Sequence, residues 1–170
     1  MRRLARHTTG SAIMEFTLVG IPIIFLLISL FEVGRGMWTY HMVAASVKAG
    51  TRYASVHGLD CTIPPNSCLV TIGQIAGRIQ QSGRGLLWDQ LNLTFTPANG
   101  TAVTCTLDNC LSNTSTFPPL ASNSPGIPIA ISGTYPFRSI ISMFWPGAGH
   151  PAGMFAATNF GTVSKEVIQF

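Results

Sequence analysis

Four cysteines are the side chains in this sequence most able to form covalent bonds with one another: Cys61, Cys68, Cys105 and Cys110. Their spacings, C-x6-C and C-x4-C, differ from the C-x-x-C of zinc ribbons and thioredoxin-like redox sites. An even number of cysteines downstream of an apolar run indicates disulfides. Three pairings are possible, and we expect the local pairs Cys61–Cys68 and Cys105–Cys110, each contributing roughly 2 kcal/mol in the chain-entropy model. Four reduced thiols in a small core are the alternative.

The other titratable residues form no catalytic or metal-binding set. The histidines are dispersed, and the acidic residues are too sparse to make an obvious carboxylate pair. The glycine-rich segment 147–153 lacks the spacing of a nucleotide-binding fingerprint. We therefore expect no enzyme activity, no cofactor, no metal and no small-molecule substrate. A membrane-tethered thiol enzyme would require a reactive cysteine. The residues concerned are His7, His41, His57, His150, Glu15, Glu32, Asp60, Asp89, Asp108 and Glu166.

Glu15 is unusual because it lies near the start of an otherwise apolar run, "TGSAIMEFTLVGIPIIFLLISLF" at residues 9–31. A carboxylate within a membrane span is costly and marks a functional site by default. The simpler interpretation places Glu15 at the cytoplasmic edge, where it extends into the headgroups. The alternative is a cut after Gly10, which would place the new amino group of Ser11 one helical turn from Glu15. Pairing of these charges, within one chain or between packed chains, would offset their desolvation.

The residues around Glu15 resemble the site of a type IV prepilin peptidase. Residues 1–10 form a short basic leader, which is followed by G-S-A-I-M-E-F and the apolar run. In that family the cut follows the glycine, and the glutamate five residues on helps to align the subunit in a growing filament. The matching positions in this chain are Gly10, Ser11, Glu15 and Phe16.

The wider stretch 10–54 resembles the TadE-like pseudopilins of tight-adherence (Flp) pilus systems, over about a quarter of the chain. That family combines a span with a "GR-x-x-W"-like exit and an Ala-rich helix ending in "ARYA"-like residues. Gly50 and Thr51 stand where alanine is commoner. The resemblance implies a minor pilin or pseudopilin whose partners are a prepilin peptidase and other pilin subunits. The matching positions are Gly34, Arg35, Trp38, Arg52, Tyr53 and Ala54.

Residues 11–31 are long enough to cross a membrane, since 21 residues of helix reach roughly 31 Å. Pro22 removes one backbone donor and is expected to weaken or kink this helix. No small-x-small site follows the run, so cleavage by signal peptidase is not expected. The arginines of the leader favour a cytoplasmic N-terminus. The family resemblance then implies the bacterial inner membrane, with a periplasmic C-terminal domain. An uncleaved signal-anchor carrying an exported binding module is the alternative.

Residues 32–57 contain no proline and are expected to continue the same helix outside the membrane, so that one helix covers about 11–57. Gly58 is a plausible stop. One stripe of this helix is expected to cover the chain's own domain or to pack in a filament, and both roles are compatible. The stripe recurs at steps of three and four and comprises Met37, Tyr40, Ala44, Val47, Thr51 and Ala54.

Residues 58–170 are expected to form an exported domain. Apolar spacing predicts a second helix over 68–81, after which the period changes to two. Alternation predicts antiparallel strands, with a hairpin signal at Asn99-Gly100. A long helix followed by a second helix and an antiparallel sheet is an α+β fold, compatible with pilin-like domains. The predicted strands are 91–96, 103–108, 127–138 and, more weakly, 154–166.

Composition favours a membrane-attached or exported protein of one domain. Of the 170 residues, 46% are hydrophobic and only 9% are charged, against about 25% charged in ordinary soluble domains. The net charge is +4, but three of the basic residues lie in the leader and no basic stripe with interleaved aromatics follows. We therefore expect no nucleic-acid partner.

Overall fold

The structure, a computed structural model, describes residues 9–60, 68–140 and 158–169. It confirms the predicted α+β class: a long apolar N-terminal helix precedes a small domain with a further helix and a four-stranded antiparallel sheet. In chain order the elements are α1 (Thr9–Ser55), α2 (Ile72–Ser82), β1 (Asn92–Thr96), β2 (Val103–Thr106), α3 (Leu107–Leu111), a short 3-10 helix (Leu120–Ser122), β3 (Pro128–Phe137) and β4 (Thr158–Val167).

The first half of α1 is an apolar rod that makes almost no contact with the other residues that the structure describes. Its most apolar stretch has a mean hydropathy of 2.4, and only 6% of that stretch is buried. Pro22 lies inside the helix without ending it. Polar side chains bond back to the helix: Thr17 Oγ1 donates to the carbonyl of Ile13 at 3.0 Å, and Ser29 Oγ to that of Phe25 at 2.8 Å. Length and composition suit a single-pass membrane anchor.

The second half of α1 packs on the domain through a stripe that differs in part from the predicted one. The predicted positions from residue 47 onward are buried, but Met37 and Tyr40 are 59% and 43% exposed. The buried side there is marked by Gly36, which lies against the rings of Phe137 and Phe160. The buried residues of this half are Gly36, Val43, Ser46, Val47, Gly50, Thr51, Ala54 and Ser55.

Helix α2 begins four residues later than predicted. Leu69 has a φ of 72°, which is incompatible with a right-handed helix, and a capping box fixes the start after it. The backbone N–H of Gln74 donates to Thr71 Oγ1 at 3.2 Å, while that of Thr71 donates to Gln74 Oε1 at 3.0 Å. Helix α2 then packs against α1 where Gly50 contacts Ile79, with no room for a methyl group on the glycine.

The sheet has the strand order β2-β1-β3-β4, and every neighbouring pair is antiparallel. Phe95 pairs with Ile131, and Ile131 with Ser164, so these side chains share one face. The alternation predicted for the first and third strands is confirmed, because that face is buried against the helices. Its buried members include Leu93, Phe95, Ile129, Ile131, Gly133 and Tyr135.

The second predicted strand was too long, whereas the described part of the fourth ends one residue beyond its predicted end. β2 ends at Thr106 because Leu107, fully buried, opens the short helix α3. The backbone N–H of Leu107 donates to the carbonyl of Leu91 at 2.7 Å. The predicted hairpin joins β1 to β2, with Gly100 at a φ of 118° in the connection. Residues 154–157 of the predicted fourth strand lie outside the described residues, and β4 starts at residue 158.

Candidate functional site: the N-terminal helix and its junction with the domain

The predicted cleavage site and Glu15 lie on one continuous helix. The Gly10–Ser11 peptide lies within α1, and Glu15 stands one turn beyond Ser11, about 6 Å along the axis. The Glu15 side chain is exposed on the surface of the rod and is flanked by Leu18 and Ile21. Phe16, the remaining residue of the predicted site, is 78% exposed. In the part of the chain that the structure describes, no cation pairs with Glu15.

Arg35, the central residue of the predicted exit motif, joins α1 to the end of β3. Its Nη2 lies 3.1 Å from Glu32 Oε2 and also donates to the carbonyl of Arg138. The guanidinium carbon sits 4.4 Å from the centre of the Phe137 ring, a cation–π contact. Gly34 has open space beside it, and Trp38 is 68% exposed. Arg35 thus has a structural role at the junction, the place where α1 meets the end of β3, while the Trp38 side chain faces outward.

Glu32 is a junction residue that the sequence analysis did not single out. Its side chain is only 10% exposed and accepts hydrogen bonds from Arg35, from the Ser139 side chain and from the backbone of Ile140. Burial raises the pKa of Glu32. These hydrogen bonds and the charge of Arg35 together lower it by more than burial raises it, so the pKa lies below its ordinary value. The Glu–Arg spacing of three residues on a helix was the available signal.

The second group of residues that resembles the family, Arg52, Tyr53 and Ala54, lies at the end of α1. Two of these residues contact other parts of the domain. Arg52 Nε lies 3.9 Å from Glu166 Oε1 of β4, an exposed and therefore weak ion pair. The Tyr53 ring lies 4.3 Å from the His57 ring, and Arg78 of α2 sits 4.9 Å above Tyr53. The neighbouring Ala54 is fully buried. These residues attach the helix to the domain rather than forming a reactive site.

The cysteines form cross-links in the described part of the chain. Cys105 and Cys110 are joined by a disulfide that ties β2 to α3. Cys68 is also disulfide-bonded, and its predicted partner, Cys61, lies outside the described residues. Within residues 9–60, 68–140 and 158–169 there is no free cysteine and no group of residues suited to hold a metal ion.

Comparison with known proteins finds a match within the N-terminal helix. Residues 10–52 match the family model described as TadE-like protein. No curated protein and no solved structure matches the chain. The matched segment holds the membrane anchor and most of the helical surface that packs on the domain, but none of the sheet. The match supports a protein related to tight-adherence (Flp) pilus systems, a family that is not a known class of enzyme. Over residues 10–52, this chain is therefore similar to the TadE-like proteins.

Proposed function

We propose that this chain is a TadE-like minor pilin or pseudopilin that takes part in assembly of a tight-adherence pilus. A prepilin peptidase cuts it after Gly10 in the bacterial inner membrane, and the domain stands in the periplasm. The observation that carries the proposal is the position of Glu15 on an exposed apolar helix, one turn from Ser11, within the segment similar to TadE-like proteins.

The helix geometry supports a cut at this place. Gly10 lowers the local stability of α1, because glycine is about 1 kcal/mol less favourable than alanine in a helix. A peptidase therefore gains access to the Gly10–Ser11 bond by local unwinding at Gly10, while the rest of α1 remains intact.

The cut also gives Glu15 a partner. A carboxylate on an apolar rod in lipid is strongly penalised unless an opposite charge accompanies it. Cleavage creates an ammonium group on Ser11, and in an assembly of parallel helices the ammonium of one subunit can meet Glu15 of the next. This pairing favours the assembled state over the isolated subunit and fixes the axial position of each helix.

The mechanism is tested by Glu15→Gln, which keeps the shape of the side chain but removes its charge. In cells with an active pilus machinery, we expect the variant to be cleaved normally. Its co-purification with other pilin subunits from solubilised membranes is expected to fall at least about tenfold, the scale of a broken buried ion pair. Asp60→Asn removes an exposed charge from the domain and is expected to co-purify as the wild type does.

Two outcomes would count against the proposal. If Glu15→Gln associates with its partners as well as the wild type does, charge pairing does not drive assembly. If neither protein associates with any pilin subunit, the anchored binding module is the better account of the chain.

A further inference from the structure

A cavity of about 450 Å³ opens beside the junction, between α1, the loop that follows α2 and the end of β3. Three arginines line it, one from each of these places: Arg35, Arg84 and Arg138. Among the residues that the structure describes, no acidic residue lines it. The volume lies within the range of pockets that hold small ligands, roughly 300 to 1,000 Å³.

The charge of this cavity is only partly compensated. Glu32 pairs with Arg35, but the guanidinium groups of Arg84 and Arg138 have no ion pair or hydrogen bond with any residue the structure describes. Asp89 lies in the same loop, exposed and away from the cavity lining. Two arginines without ion pairs among the lining residues of one cavity favour an anion with several acceptor oxygens, above all a phosphate.

The cavity lies at the level of the lipid headgroups if the apolar rod spans the membrane. Arg35 follows Phe31, the last residue of the apolar run, by four positions, which is about 6 Å along the helix. The headgroup layer adds roughly 5 to 7 Å to each side of the hydrocarbon core. The guanidinium groups therefore stand where phosphates of the outer leaflet are found.

Exposed apolar side chains flank the cavity. Trp38 and Leu87, which both line it, are 68% and 55% exposed, and Trp88 next in the chain is 47% exposed. The loop is held in place, since the backbone N–H of Leu87 donates to the Tyr135 hydroxyl at 3.4 Å. Tryptophans beside basic residues are typical of segments that lie in the membrane interface.

We propose that this cavity binds the phosphate of an anionic phospholipid in the leaflet that faces the domain, and that this contact seats the domain on the membrane. The inference rests on the membrane anchor but does not depend on cleavage of the leader. A free phosphate offers the same chemistry, but the flanking apolar residues favour the lipid, because only a lipid brings an apolar surface with its phosphate.

The test uses the full chain in lipid nanodiscs, with Trp88→Phe and Trp145→Phe so that Trp38 is the one fluorescent tryptophan of the three. Phosphatidylglycerol or phosphatidylcholine carrying brominated acyl chains is titrated into a zwitterionic bilayer. We expect brominated phosphatidylglycerol to quench Trp38 at a lower mole fraction. Arg84→Gln and Arg138→Gln are each expected to weaken this preference roughly fivefold.

Lys48→Gln with Lys165→Gln is the matched control, since it removes two exposed positive charges far from the cavity lining. It is expected to leave the preference unchanged. The proposal is overturned if both lipids quench the wild type equally, or if the lysine control loses as much as the arginine variants. Displacement of the phosphatidylglycerol signal by inorganic phosphate would show a site for soluble anions instead. If neither lipid quenches Trp38, no lipid occupies the cavity and the proposal is likewise overturned.

Discussion

Gly133 of β3 lies so close to Val47 of α1 that a methyl group on Gly133 would stand 2.7 Å from Val47 Cγ2. Gly133→Ala is therefore expected to lower the free energy of unfolding by about 1 to 3 kcal/mol, the usual penalty of overpacking. Denaturant unfolding of the solubilised protein, followed by near-UV circular dichroism, measures it. Adding Val47→Ala to Gly133→Ala is expected to recover part of the loss.

Gly161→Ala is the control for this contact. Gly161 lies in β4 of the same sheet, and a methyl group there would meet no other atom within 4 Å. We expect its effect to stay within about 0.5 kcal/mol, as for exposed substitutions generally. Equal losses from the two glycine substitutions would show that the close approach of α1 to the sheet does not limit stability.

The contact between α1 and α2 offers a second comparison of glycines. A methyl group on Gly50 would overlap with Ile79, whereas Gly77 in α2 has open space beside it. Gly50→Ala is expected to lower the midpoint of thermal unfolding. Gly77→Ala is expected to raise it, because alanine is better than glycine in a helix by about 1 kcal/mol. Stabilisation by both substitutions would mean that the two helices can separate without loss.

Glu32 makes the junction sensitive to acid. Because its pKa is lowered in the folded protein, its contribution to stability is fully present above the ordinary glutamate pKa of about 4.3. The contribution is lost as the pH falls through the lower, folded value. Glu32→Gln is expected to be less stable than the wild type at neutral pH by about 1 to 2 kcal/mol, the scale of a hydrogen bond to a charged group.

Unfolding curves measured from neutral to acid pH test this behaviour. The difference between the wild type and Glu32→Gln is expected to shrink as the pH falls. Other carboxylates titrate in both proteins, so the difference isolates residue 32. Ser139→Ala removes one donor to this carboxylate. Its free energy of unfolding is expected to lie between those of the wild type and Glu32→Gln. A difference that stays constant across the pH range would assign Glu32 a role in packing alone.

Local periodicity was sufficient to predict the main elements. The apolar run and the proline-free stretch that follows it predicted α1, and alternation in β1 and β3 predicted the buried face, because each pattern repeats within a few residues. The start of α2 was missed although Thr71 and Gln74 have the spacing of a capping box. Leu69 is apolar and fits the helical spacing, but its positive φ excludes it from a right-handed helix.

The junction and the cavity could not be predicted in the same way. The buried side of α1 near Gly36 is set by Phe137 and Phe160, which lie more than a hundred residues later in the chain. Likewise, Arg84 and Arg138 come together only through the tertiary fold. The roles of Gly10, Ser11 and Glu15 were proposed from their spacing and from a family resemblance, and they remain predictions about a processed protein.

The mature N-terminus tests the central claim most directly. Intact mass spectrometry with N-terminal sequencing is carried out on protein from cells with an active prepilin peptidase. We expect the wild type and Gly34→Val, a valine placed where α1 has open space, to begin at Ser11. Gly10→Val is expected to retain residues 1–10. A wild-type protein that still begins at Met1, while other prepilins in the same cells are processed, would contradict the account.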